Sequence, residues 1–262
     1  VLLCCTTAKS DLKINVPGFN QNALPVRTLP ARIENIEIKH DVALLKLALP
    51  KAPPFAFYAG QYIDLLLPGN ISRSYSIANS PDQEGILELH IRKRENGVCS
   101  EMIFGAEPKI KEKGIVRVKG PLGTFTLQKG SDKPIVLLAT GTGYAPIRSI
   151  LLDLIHQNSE RQVHFYWGAR QQEDLYALEE AEVVIGRLKN AKFSPVLSKP
   201  DSDWKGENGY VQNVAAQNYP DLSQYEVYAC GSPAMTESAQ SLLTQKCALP
   251  EPAFFCDAFS PA

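Results

Sequence analysis

Between Ala31 and about Leu127, apolar and polar residues alternate in short runs broken by proline and glycine. Ala31–Lys39 carries Ile33, Ile36 and Ile38, and Val42–Leu49 follows after His40-Asp41. Further runs occupy Gln61–Leu67, Ser72–Ala78, Gly85–Arg92 and Ile115–Lys119. Between them stand Pro53-Pro54, Pro68-Gly69, Ser80-Pro81 and Gly120-Pro121. Short alternating strands separated by turn signals predict a small antiparallel Greek-key β-barrel. A single helical stretch is expected within it, near Cys99–Gly105.

At Pro134 the period changes. Ile135–Ala139 is a continuous apolar run, which suits a parallel strand covered on both faces. Ala145–Ile155 then shows helical spacing through Ile147, Ile150, Leu151 and Leu154. Strands are expected at Val163–Trp167, Phe193–Leu197 and Glu226–Cys230, and helices at Leu175–Leu188, Val211–Gln217 and Pro233–Lys246. This alternation predicts an α/β doubly wound parallel sheet with right-handed crossovers. The expected organisation is two domains, a barrel over 31–130 and an α/β domain over 131–262, meeting in Lys129–Lys133. Residues 15–30 hold three prolines and three asparagines and read as a linker.

Composition narrows the function classes. The chain of 262 residues is 44% hydrophobic and 21% charged, within the globular range. Its net charge of −1 offers no overall basic balance for nucleic acid or anionic lipid, and Arg92-Lys93-Arg94 forms one short basic cluster. No run approaches the ~18 apolar residues of a membrane span. Val1–Thr7 is too short, and lacks the basic leader, for a signal peptide. Cysteines at 4, 5, 99, 230, 247 and 256 form no C-x-x-C pair, and histidines at 40, 90, 156 and 164 have no zinc spacing. The expectation is a reduced, cytoplasmic protein without a metal site.

Two segments carry candidate chemistry. In Arg73-Ser74-Tyr75-Ser76, strand alternation puts Arg73 and Tyr75 on one face and Ser74 and Ser76 on the other. A flavin needs an aromatic face, a donor near N5 and a cation for its phosphate, which Tyr75, Ser76 and Arg73 offer. An ordinary surface strand with an Arg–Tyr pair has the same spacing. In Thr140-Gly141-Thr142-Gly143-Tyr144-Ala145-Pro146, glycines lie between a buried strand and a helix. There a backbone can approach a pyrophosphate at a helix N-terminus. Pro146 suits the first helical turn.

Together these segments resemble the ferredoxin–NADP reductase superfamily. Arg73-Ser74-Tyr75-Ser76 resembles its flavin motif R-x-Y-S/T. Gly97-Val98-Cys99-Ser100 resembles the G-x-C/T-S segment that opens a short helix against the flavin phosphate. Gly141-Thr142-Gly143-Tyr144-Ala145-Pro146 resembles its nucleotide motif G-T/G-G-x-A/T-P. Tyr228-Ala229-Cys230-Gly231-Ser232-Pro233 resembles its C-G-S/P-P motif, and Phe255-Cys256-Asp257-Ala258-Phe259 its F-x-D-A-F ending. The five motifs stand in the family order over about residues 31–259. Gln61-Tyr62, Tyr166-Trp167-Gly168 and Asp257-Ala258-Phe259 point to the bacterial flavin reductases and the reductases of oxygenases and of deoxysugar synthesis.

The resemblance implies FAD, NADH or NADPH as cofactors, with His90 among the flavin-site residues. It sets Cys230 beside the nicotinamide C4, although a small buried thiol fits the same position. Arg170 reads the adenosine ribose or else pairs with Glu173 or Asp174. Phe259 covers an edge of the site or belongs to the core. The implied function is hydride transfer from the nicotinamide to flavin, with electrons passed to a free flavin or an electron-accepting protein such as an oxygenase. A non-catalytic nucleotide-binding regulatory subunit is the alternative.

Leu3-Cys4-Cys5 with Ser10-Asp11-Leu12 resembles the last segment of a plant-type 2Fe–2S ferredoxin domain. Such a domain needs C-x4-C-x2-C and a distant fourth cysteine. Cys4 or Cys5 supplies at most the fourth, so no iron–sulfur cluster is expected in this chain. Either a ferredoxin part was lost, or the chain starts inside a longer protein.

Overall fold

The computed structural model describes residues 24–259, so the ferredoxin-like segment at Cys4 and Cys5 lies outside the described residues. The first sheet contains β1 (Arg27–Lys39), β2 (Val42–Ala48), β3 (Tyr62–Leu67), β4 (Ile71–Ser76), β5 (Ile86–Arg92) and β6 (Ile115–Leu122), with helix α1 (Val98–Phe104) between the last two. All its pairings are antiparallel, in the order β4-β3-β6-β1-β2-β5. Its two edges curl together where Ile77 bridges Leu89 and the Ala78 N–H donates to the Glu88 carbonyl at 2.8 Å. Alternation puts Leu45, Leu47, Ile63, Leu65, Leu87 and Leu89 inside the curl, where α1 adds Cys99 and Ile103.

The linker expectation fails at its end. β1 starts at Arg27, and Arg27–Arg32 pairs with Gly120–Ile115 of β6. Pro30 misled that reading, but β1 gains its second partner, β2, only from Arg32 onward. A strand proline is tolerated where one side is unpaired.

The second sheet is parallel, in the order β10-β9-β8-β7-β11-β12. It comprises β7 (Ile135–Thr140), β8 (Val163–Ala169), β9 (Ala191–Leu197), β10 (Glu207–Asn208), β11 (Glu226–Gly231) and β12 (Phe254–Ala258). Helices α2 (Tyr144–His156) and α3 (Leu178–Ile185) pack on one face, and α4 (Val211–Asn218) and α5 (Pro233–Lys246) on the other. β7 and β11 are buried along almost their whole length, as continuous apolar runs require. The C-terminal motif is itself a strand, pairing with β11 from Val227–Phe254 to Gly231–Ala258. Val42, Ala59 and Phe125 of the first domain join the core cluster under α2 and α3, so that face of the second domain meets the barrel.

Candidate functional site

Every strand of a parallel sheet ends on the same side, and ligands bind beyond those ends. Here a cleft of about 1130 Å³ opens beyond β7, β8 and β11, lined by Thr140, Gly141, Thr142, Gly168, Arg170, Gly231, Ser232, Pro233 and Phe259. A second groove of about 850 Å³ lies away from these strand ends, against Tyr58, Lys129 and Arg161. Its position offers nothing to the motifs, and the first cleft is the candidate site.

The walls of the cleft are built by close backbone packing. β7 turns into α2 through a single 3-10 turn, Gly141–Gly143. Gly141 needs the left-handed region (φ 54°) and faces the cleft, with Arg92 beside it. Gly143 is buried, and a side chain there would overlap the Cys230 carbonyl. Its smallness therefore serves contact between two protein segments, whereas Gly141 is the glycine left open to a ligand. Gly231 (φ 145°) crosses so near Thr140 that a Cβ would overlap its hydroxyl, while that hydroxyl accepts from the Ser232 N–H at 3.2 Å. The Ser232 hydroxyl in turn accepts from the Met235 N–H at 3.3 Å and caps α5, with Pro233 at its start. Pro146 is buried in the first turn of α2.

Phe259 sits half-buried at the mouth, its N–H donating to the Gly231 carbonyl at 2.7 Å. It lines the cleft and also packs against the core cluster under α2 and α3. Arg170 is exposed in the cleft. Asp174 accepts from the Gln171 N–H at 3.2 Å, and among the described residues neither it nor Glu173 pairs with Arg170.

The flavin candidates divide between two faces of the β3–β4 hairpin. Arg73 and Tyr75 share one, where the Tyr75 hydroxyl faces the Cys99 thiol of α1, and burial with the Cys99 neighbour drives the Tyr75 pKa up. α1 begins at Val98 after Gly97 with no side-chain cap, leaving its first N–H groups without intrahelical partners. On the other face, Ser76 is opposite Tyr62 and Ser74 opposite Asp64.

Three expected ligand residues have their side chains engaged inside the protein. The Ser74 hydroxyl donates to Asp64 at 2.7 Å. The Ser100 hydroxyl accepts from the Arg94 N–H at 2.7 Å. His90 is buried with its ring nitrogens 2.8 Å from the Tyr176 hydroxyl and 3.1 Å from Glu88. The reason is strand parity: Leu87, Leu89 and Ile91 fill the barrel, so Glu88, His90 and Arg92 face the second domain.

The F-x-D-A-F ending also brings in a residue to which the sequence reading gave no role. Asp257 of β12 stands opposite Cys230 of β11. Its charge reaches Cys230 and also Tyr62, the partner of Ser76. Burial raises the Asp257 carboxyl from 3.8 to about 6. Cys230 is fully buried, and burial, followed by the charges of Asp257 and Cys256, holds its thiol protonated. Arg92 and Arg94 of the short basic cluster also line the cleft. The signal for Asp257 was available, since an acidic residue within an apolar C-terminal run needs a reason to be there.

Comparison with known proteins agrees with this geometry. Residues 31–127 match the oxidoreductase FAD-binding domain and residues 137–241 the oxidoreductase NAD-binding domain. The chain is 41% identical over 264 residues to CDP-6-deoxy-L-threo-D-glycero-4-hexulose-3-dehydrase reductase of Yersinia pestis, covering 100% of this chain and 78% of that protein. It belongs to the ferredoxin–NADP reductase superfamily. This reductase is also 32% identical to the NAD(P)H-flavin reductase of Vibrio harveyi over 82% of its own length and 92% of that protein. The crystal structure of the Amycolatopsis cytochrome P450 reductase GcoB superposes with a TM-score of 0.82 at 30% identity, over 90% of this chain and 71% of that one. The reductase is a flavin-dependent NAD(P)H oxidoreductase that takes FAD and a nicotinamide nucleotide. Among the described residues, no cluster of His, Cys, Asp or Glu is arranged to hold a metal ion, and no helix is long and apolar enough to cross a membrane.

Proposed function

We propose that the nucleotide lies in the cleft beyond β7, β8 and β11 and the flavin against the β3–β4 hairpin and the start of α1, the nicotinamide and flavin meeting near Cys230, Asp257 and Ser76. The observation that carries this reading is the cleft itself, where the Gly141 turn, Gly231 and Phe259 of the second domain meet Arg92 and Arg94 of the barrel. The flavin supplies the capacity to take two electrons from the nicotinamide and deliver them onward. The chain's own groups bind, orient and exclude water. Gly141 leaves room for a diphosphate close to backbone N–H groups, and Arg92, Arg94 and Arg170 line its approach. Arg73 offers a cation to the flavin phosphate and Tyr75 a stacking face. The buried, protonated Cys230 contributes bulk and polarisability rather than a nucleophilic thiolate. No general base is required by hydride transfer itself.

For the acceptor we favour a partner protein, supported by 41% identity along the whole chain to a dehydrase reductase. A free flavin is the second reading, favoured by the match to 92% of a flavin reductase. The free thiols Cys99, Cys230 and Cys247 suit a reducing, cytoplasmic setting.

The deciding experiment is an anaerobic absorbance titration of FAD-supplemented protein with one equivalent of NADH, and separately of NADPH. Bleaching of the flavin band establishes the reaction and the preferred nucleotide. Bound flavin that neither nucleotide bleaches assigns the chain to the regulatory alternative. Adding free FMN after reduction then separates the two acceptors, since rapid reoxidation supports the flavin and slow reoxidation the partner protein.

A further inference from the structure

Two domains that each hold one cofactor must meet at a fixed angle, because hydride transfer tolerates little misplacement. The domain contact in this molecule centres on a polar chain among aromatic rings. Arg148 of α2 donates to the Glu180 carboxylate of α3 at 2.6 Å and to the Ala78 carbonyl of the barrel at 2.8 Å, and its guanidinium lies 3.5 Å from Glu88 of β5. Glu88 lies 3.1 Å from His90 Nε2, and His90 Nδ1 lies 2.8 Å from the Tyr176 hydroxyl.

The chemistry fixes the direction of this chain. A carboxylate only accepts, so His90 Nε2 carries the proton; Nδ1 then accepts, and the Tyr176 O–H donates. Burial favours the neutral ring, lowering the His90 pKa against the opposing pull of Glu88. The groups facing the ring are Glu88, Arg148, Glu180, Tyr144 and Tyr176.

From Tyr176 the contact continues into the nucleotide site. Tyr176 meets Trp167 edge-on at 5.3 Å, Trp167 stacks on Tyr144 at 4.3 Å, and the Trp167 indole N–H donates to the Gly141 carbonyl at 3.0 Å. Gly141 is the glycine that faces the cleft. A rigid path thus runs from the barrel strand β5 to the turn that would hold the diphosphate.

We infer that His90 is a positioning residue, the neutral donor–acceptor link that sets the angle between the flavin barrel and the nucleotide domain. It acts through Tyr176, which meets Trp167 of the nucleotide domain edge-on at 5.3 Å. Its ring is buried, with both nitrogens within hydrogen-bond distance of protein groups. This inference rests on the proposed placement of the two cofactors, and the test separates the two.

The test replaces Tyr176 by Phe, which removes one hydroxyl and keeps the ring contacts, and in a second protein replaces Glu88 by Gln. Each FAD-loaded variant is mixed with saturating NADH, or with NADPH if that is the preferred nucleotide, under anaerobic stopped flow. The limiting rate of flavin reduction is expected to fall about tenfold, while nucleotide KM and the FAD dissociation constant stay within about twofold. A second readout needs no turnover. Residual dipolar couplings of the apoprotein, fitted separately to each domain, should give one shared alignment in the parent and unequal alignments in the variants.

Parental rates with a shared alignment in both variants overturn the inference. So does a rate loss carried wholly by weaker FAD or nucleotide binding. If Tyr176→Phe does not fold, Glu88→Gln carries both readouts. If the parent itself takes no electrons from either nucleotide, the failure belongs to the functional reading, and the dipolar couplings still decide whether His90 sets the domain angle.

Discussion

Gly143 and Cys230 meet backbone to backbone, with the glycine Cα so close to the Cys230 carbonyl that any side chain would overlap it. The start of α2 and the end of β11 are therefore packed as one unit under the nucleotide cleft. Gly143→Ala forces backbone against backbone and is expected to cost about 1–3 kcal/mol. The displaced turn carries Gly141 with it, so nucleotide KM should rise while FAD retention stays unchanged. Thermal denaturation and steady-state kinetics check the two halves of this prediction. An alanine variant with parental melting and KM would mean that the turn yields easily.

Arg73 stands half-buried on β4 beside Tyr75, and among the described residues its one hydrogen bond is to the Ser72 carbonyl at 2.8 Å. That leaves most of its donors for a phosphate. Arg73→Ala should weaken FAD binding by about 1.5–3 kcal/mol, the range for a hydrogen bond to a charged group, and leave the apoprotein's stability within about 0.5 kcal/mol. Fluorescence titration of the apoprotein with FAD measures the first quantity. Parental affinity would remove Arg73 from the flavin site.

Arg148 neutralises two carboxylates from different domains, Glu88 and Glu180, with its side chain only 15% exposed. Arg148→Ala leaves both without their cation in a partly buried contact. The expected loss is about 3–5 kcal/mol, the cost of removing one partner of a buried ion pair. Adding Glu180→Gln should recover part of that loss, because one of the two carboxylates is then neutral. Urea denaturation of the single and double variants measures both steps. Additive effects would show that Arg148 and Glu180 act independently.

Most of the architecture was legible in the sequence because period and punctuation agree. Ile135–Ala139 has no polar position to contradict a buried strand, and Pro233–Lys246 is bounded by a serine cap and a proline at its start, so both lie where expected. β1 begins earlier than expected, and β12 was not expected as a strand at all. Pro30 argues locally against a strand, and only the pairing with β6 outweighs it. Phe254–Ala258 takes its extended form from β11, a partner more than twenty residues earlier in the chain. In the cleft, the motifs fall on the Gly141–Gly143 turn and on the segment that ends β11, but they do not say which side chains turn inward. Ser74, His90 and Ser100 bond to Asp64, Tyr176 with Glu88, and the Arg94 N–H, all partners set by tertiary packing. Asp257 stands half-buried between the exposed Cys256 and Ala258, a burial set by its place opposite Cys230 and not by its residue type.

That buried carboxyl gives the protein a testable dependence on pH. Asp257 is raised from 3.8 to about 6 by burial alone, so the folded state favours its neutral form and the unfolded state ionises it more readily. The stability it contributes is complete below pH 4 and is lost as pH rises through 6. At about 1.4 kcal/mol for each tenfold change in acidity, the difference amounts to about 3 kcal/mol at most, and water reaching the part-exposed carboxylate reduces it. His164, which burial lowers to about 4, acts in the opposite sense, its contribution being lost as pH falls below 6.5. The parent's total curve mixes these with other shifted groups, among them His90, Asp153, Glu88 and Glu226, and the comparison with Asp257→Asn isolates the carboxyl. The stability difference, variant minus parent, should become more positive between pH 4 and 7, as measured by urea denaturation of the apoprotein. A difference that stays flat across this range would mean that the Asp257 carboxyl ionises in the folded protein as it does in the open chain.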